Sequence, residues 1–251
     1  MDLHLLAAVL AGGALAGFVQ GLSGFGFGLT AMAVWAWVLE PRLAAVLAVF
    51  GALLGQLLAA ARVRRGFAWR DLWPFLLGGL VGVPLGVAVL PGLDMAWFKT
   101  ILGGLLVLWC PAMLLSHRLP RLQRGGRLAE TLVGLAAGVL GGIGGFTGTL
   151  PTLWCTLRGY PKDRQRQVVQ NFNLALLLVA MGSYLAKGLV TRPMLPWLAA
   201  LAPAVLLPAL LGMRVYVGIS EARFKQIVLC VLTAAGAALL ASSLPQLLAR
   251  G

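Results

Sequence analysis

Two glycine clusters interrupt otherwise apolar sequence, "GLSGFGFGLT" at 21–30 and "GGIGGFTGTLP" at 141–151. A glycine costs roughly 1 kcal/mol in a helix interior. Gly24, Gly26 and Gly28, and again Gly144, Gly145 and Gly148, therefore predict breaks over 22–28 and 143–149. A break inside an apolar span frees backbone N–H groups, which cost several kcal/mol each in lipid unless they face a cavity or a ligand. The helix that restarts beyond the break adds the positive end of its dipole. Such donors and dipole ends together suit an anion. Polar side chains cluster nearby: Gln20, Ser23 and Thr30 beside the first break, Thr147 and Thr149 in the second, and "QVVQNFN" opening a later segment. Within that segment Gln170 and Asn173 are three apart and share a helix face. The candidate substrate-binding set is thus Gln20, Ser23, Gly24, Phe25, Gly26, Gly144, Gly145, Phe146, Thr147, Thr149, Gln170, Asn171 and Asn173. Phe25 and Phe146 read either as gates or as core packing, and Gln56 equally as a substrate contact or an interhelical bond.

The residues that are missing from the apolar segments narrow the chemistry. None of Asp2, Glu40, Asp71, Asp94, Glu130, Asp163 or Glu221 lies deep in one, which disfavours a cation as the main solute. No nucleophile–base pair or His/Cys ligand spacing occurs at depth, so neither an enzyme nor a cofactor or metal is expected. Nucleotide binding through Gly-x-Gly-x-x-Gly would require a preceding strand in a soluble βαβ unit. Cys110, Cys155 and Cys230 are far apart in apolar sequence; small packing residues are the expected role, a membrane redox or assembly function the rival one.

The elements that position these residues follow from composition. Of 251 residues 60% are hydrophobic and only 11% charged, against about 25% in soluble domains. Eight runs are long enough to cross the hydrocarbon core: 3–39, 43–61, 72–93, 100–116, 131–157, 167–186, 193–213 and 226–249. The expected fold is all-α, a polytopic membrane protein of about eight transmembrane segments with broken or re-entrant helices at the glycine motifs. The first run, 37 residues long, is read as a helix, a break, and a shorter piece carrying Trp35 and Trp37 toward an interface. The net charge of +13 concentrates in short links, which points to the membrane surface and against nucleic acid. With eight simple spans the basic residues divide eleven against nine, too even to fix orientation, with a slight lean to cytoplasmic termini. No cleaved signal peptide is expected.

The two glycine clusters also belong to a longer match. Shifted by 121 residues, 13–31 lies on 134–152 with seven identities in nineteen, and "AWFKTI" (96–101) matches "ARFKQI" (222–227) in four of six. The expected organisation is a first transmembrane repeat over 1–116, a basic linker over 117–128 and a second repeat over 129–251, four segments in each repeat. Four complete spans per half give parallel repeats, and inverted ones require a re-entrant segment in each. Gly13, Gly17 and Gly21, like Gly134, Gly138 and Gly142, form helix-packing stripes.

"GFVQGLSGFGFGLTAMAVW", its echo "GVLGGIGGFTGTLPTLW" and four apolar segments per half resemble the sulfite exporter TauE/SafE family. The resemblance implies a multi-pass transporter of the bacterial inner membrane. Its substrate would be a small anion such as sulfite, sulfoacetate or another organosulfonate, with a proton or sodium ion as a possible coupling partner. A secondary carrier working by alternating access is the first reading, an anion channel the alternative.

Overall fold

The computed structural model describes residues 3–62, 66–116, 122, 125–215 and 221–248. Most of the linker lies outside these. The described residues form ten α-helices and no strand. They are α1 (Leu3–Ser23), α2 (Phe27–Trp35), α3 (Pro41–Arg62), α4 (Trp69–Val89), α5 (Met95–Leu114), α6 (Arg127–Gly144), α7 (Thr149–Leu157), α8 (Lys162–Ala186), α9 (Leu195–Val215) and α10 (Glu221–Leu248). Eight are long and apolar enough to cross a membrane. The exceptions are α2 and α7, nine residues each, about 14 Å or less than half the hydrocarbon thickness.

Both short helices turn back along the long helix before them. The Trp35 indole, at the end of α2, donates to Ala8 O near the start of α1 at 3.2 Å. Beyond the end of α7, Leu122 N donates to Leu157 O at 3.0 Å, and the Tyr160 hydroxyl reaches Glu130 in the first turn of α6 at 3.3 Å. Trp35 is thereby fully buried and not at an interface as expected. Gly12 makes room for it, since a Cβ there would stand 2.4 Å from the indole nitrogen. Trp37 is the exposed member of the pair, with the Lys99 ammonium 5.0 Å above its ring.

The glycine stripes set the directions of the long helices. Cβ atoms on Gly13, Gly17 and Gly21 would strike Leu201, Val205 and Ala209 in turn, so α1 and α9 run parallel in close contact. Cβ atoms on Gly78, Gly82 and Gly86 would strike Thr131, Leu135 and Val139, which makes α4 and α6 the matching parallel pair. Helices α3 and α8 cross antiparallel in the centre: Arg42 at the start of α3 donates to Gly188 O and Leu189 O past the end of α8, and Asn171 near the start of α8 donates to Gly66 O. Thr100 and Ser243 bond at 2.8 Å where α5 starts and α10 ends. Thus α1, α3 and α9 point one way and α4, α6 and α8 the other, and the long–short–long–long–long order of α1–α5 recurs in α6–α10.

Because α2 and α7 reverse the chain, the helix ends sort differently from a simple eight-span count. Among the described residues, the end where α1 begins carries Arg42, Lys99, Lys187 and Arg192, and the opposite end carries Arg62, Arg70, Arg127, Arg158, Lys162, Arg164, Arg166 and Arg214. We refer to the latter as the basic end.

Candidate functional site

Each break is three or four residues, shorter than the seven expected, because left-handed glycines turn the chain quickly. Gly24 and Gly26 have φ of 76° and 93°, and Gly145 has φ of 75°, a region costly for any residue with a Cβ. Ser23 spends its hydroxyl on shaping the first turn, against Val19 O at 2.7 Å and Phe25 O. Thr149 does the same in the second, donating to Phe146 O at 2.8 Å. The two breaks abut: a Cβ on Gly28 would stand 3.0 Å from Gly144 O and 3.1 Å from Gly145 O.

Helix α8 serves both breaks from one face. Gln170 packs its amide into the space a side chain at Gly24 would fill, and Asn173 does so at Gly148. Asn173 Oδ1 also accepts from the Thr147 hydroxyl at 2.9 Å. From α3, Gln56 donates to Gly24 O at 2.8 Å. From α1, Gln20 donates through Nε2 to Ala52 O at 2.9 Å, which leaves its buried Oε1 without a partner.

Between the breaks lies a cavity of about 20 Å³, lined by residues 25–29 and 145–149, by Gln20 on α1, Ala52 and Gln56 on α3, and Asn173 and Leu177 on α8. It has room for about one water. No charged side chain lines it. The lining residues carry six backbone N–H groups at the two breaks, those of Phe27, Gly28 and Leu29 in the first turn of α2 and those of Phe146, Thr147 and Gly148 in the second break. None of the six has a hydrogen-bond partner among the described residues. Both short helices begin here, at Phe27 and Thr149, so two positive dipole ends converge on a space without counter-charge.

Of the sequence-derived set, Gln20, Phe25, Gly26, Gly145, Phe146, Thr147, Thr149 and Asn173 line the cavity. Ser23, Gly24, Gly144 and Gln170 stand immediately behind it. Asn171 is apart, bonded to Gly66 O at 3.1 Å, because one residue along a helix rotates the side chain by about 100°.

The model of the family described as "Sulfite exporter TauE/SafE" matches residues 9–239, a span that holds both breaks and all of the cavity lining. The chain belongs to that family. This TauE/SafE member is also 30% identical over 191 residues to a protein of Haemophilus influenzae named "Probable membrane transporter protein", covering 72% of this chain and 75% of that one. No solved structure matches it. It is therefore a membrane transporter of the TauE/SafE family.

Two features of the TauE/SafE site escaped sequence reasoning. Trp109 on α5 donates its indole N–H to Thr149 O at 2.7 Å and meets Phe25 edge-on at 6.0 Å, so it pins the second break and holds the first. Its signal was a tryptophan in mid-span, whose N–H needs a partner. Ala52 and Leu177 also line the cavity and carried no signal at all.

The ends of the helices around the site are tied differently. Away from the basic end, Arg42 bridges α3 to the two carbonyls past α8, at 2.8 and 3.1 Å. At the basic end Arg164 of α8 forms a two-pronged ion pair with Asp71 of α4, both contacts 2.5 Å, and lies 4.8 Å over the Tyr160 ring. Burial, reinforced by the Glu130 and Asp71 carboxylates, pushes the Tyr160 phenol up to about 12. Tyr160 thus stays protonated and keeps donating to Glu130, itself 7% exposed.

Proposed function

We propose that this protein is a secondary carrier that moves a small oxyanion of the sulfite or organosulfonate type across the bacterial inner membrane by alternating access. The observation that carries this reading is the meeting of two short-helix N-termini and six unpartnered N–H groups at a cavity without acids. Such a site replaces an anion's water with fixed donors, and the family name supports a sulfur oxyanion.

The two halves, 1–116 and 129–251 about the linker 117–128, act as inverted repeats in this reading. Support comes from the opposed directions of α1 and α6 and from the swapped pairs α1–α9 and α6–α4. Binding sites of inverted-repeat carriers lie where interrupted helices of the two halves meet. Short basic links favour the cytoplasm, so the basic end faces inward and the outer ends of α1 and α10 face outward, opposite to the sequence-based lean. The Arg42 bridge and the Asp71–Arg164 pair each tie α8 to the first half, and opening to either side releases one of them.

The test is a thermal-shift screen of the purified protein against sulfite, sulfoacetate, methanesulfonate, carboxylates and monovalent cations, followed by flux of the hits in liposomes. Stabilisation and flux with an anion are expected. Response to cations alone refutes the reading.

A further inference from the structure

The lining residues carry unpartnered backbone donors, and one lining side chain, Gln20, carries the opposite, an unpartnered acceptor. Ala52 O can only accept, so the Gln20 amide must present Nε2 to it. The orientation of the amide is therefore set, and Oε1 is left buried and unpartnered in a residue 4% exposed. Glycine at 55 is what admits this oxygen, because a Cβ there would stand 2.2 Å from it. A buried acceptor without a donor is costly, and Gln20 lines the cavity.

The second observation is charge. No lysine, arginine or histidine lines the space, so a bound anion is met only by neutral dipoles. Desolvation energy grows with the square of the charge, so a dianion costs about four times as much as a monoanion to strip of water. No titratable side chain lines the cavity either. Tyr184 and Arg164 on α8, Cys155 on α7, Glu130 on α6 and Cys110 on α5 all lie outside the lining.

Resting on the anion-carrier reading, we infer that the substrate is the singly protonated form of an oxyanion, a monoanion whose own hydrogen is donated to Gln20 Oε1 while its oxygens take the backbone N–H groups. Hydrogensulfite has this form. A fully ionised sulfite or sulfate lacks the donor and carries twice the charge. A simple sulfonate has the right charge and lacks the donor.

Calorimetric binding to the purified full chain separates these cases, with sulfite, methanesulfonate and sulfate as probes. Affinity for total sulfite is expected to follow the singly protonated fraction, falling about tenfold per pH unit on the alkaline side. Methanesulfonate binds about tenfold more weakly than acidified sulfite, the worth of one hydrogen bond to a buried acceptor, and without pH dependence. Sulfate does not compete. Gln20→Leu lowers the affinity for acidified sulfite about tenfold more than that for methanesulfonate. The inference is overturned if sulfite binds better in alkali, if sulfate competes, or if the variant weakens both monoanions equally. The wild-type pH series stands whether or not the variant folds. Binding of sulfate and methanesulfonate alike would overturn the protonated-substrate inference and keep the anion site, whereas no binding of any of the three would remove both.

Discussion

If the Asp71–Arg164 pair holds the basic end closed, Asp71→Asn should open the cavity from that side alone. The geometry is favourable, since the guanidinium meets the carboxylate with two 2.5 Å contacts. Its worth is limited by water: the Arg164 side chain is 51% exposed and that of Asp71 15%. Exposed ion pairs contribute up to about 1 kcal/mol, and the Tyr160 ring beneath Arg164 places this one near that upper value. A shift of about 1 kcal/mol changes the ratio of open to closed forms about fivefold. The assay uses a reporter cysteine at Ala52, in a background with serine at positions 110, 155 and 230, and an impermeant thiol reagent applied to one face at a time. Labelling from the basic face should accelerate about fivefold, while labelling from the other face should not. Arg42→Ala should give the reverse. The gating argument fails if Asp71→Asn leaves the rate unchanged, or if both variants speed labelling from the same face.

Other expectations follow from packing. Gly17→Val should lower the unfolding temperature sharply and reduce the folded yield, because even a Cβ there lies 2.6 Å from Val205 O and α1 and α9 would have to part. Gly104→Ala, with nothing within 4 Å of the added carbon, should be neutral or slightly stabilising by helix propensity, about 1 kcal/mol at most. Replacing all three cysteines with serine should leave flux intact. Cys110 and Cys155 are buried and unpaired, and loss of flux would favour a redox role.

The breaks were legible because glycines at Gly24, Gly26 and Gly28 are too dense for a packing stripe, whereas Gly13, Gly17 and Gly21 have the stripe's four-residue spacing. Their length was not, since only backbone angles show that Gly24 and Gly145 reverse the chain within a few residues. Helix direction was hidden for a related reason. Nine-residue helices fall below any span threshold, yet α2 and α7 each turn the chain around and so change which links share a side. Trp35 looked interfacial by residue type, and only its pairing with Gly12, 23 positions earlier, shows the slot that buries it. Gln170, Asn171 and Asn173 read as one polar run. The helix distributes them between Gly24, Gly66 and Gly148.

A bacterial membrane stores energy as ion gradients, and every transporter embedded in it is a potential leak. A cavity of about 20 Å³ holds one water and not a file of them, and it sits between an arginine bridge on one side and an ion pair on the other. Protons and sodium ions need a continuous string of oxygens to pass, and a cavity of this size holds none. In the proposed carrier cycle, the same tightness that obliges the walls to part for each anion also serves to keep the idle protein from leaking ions.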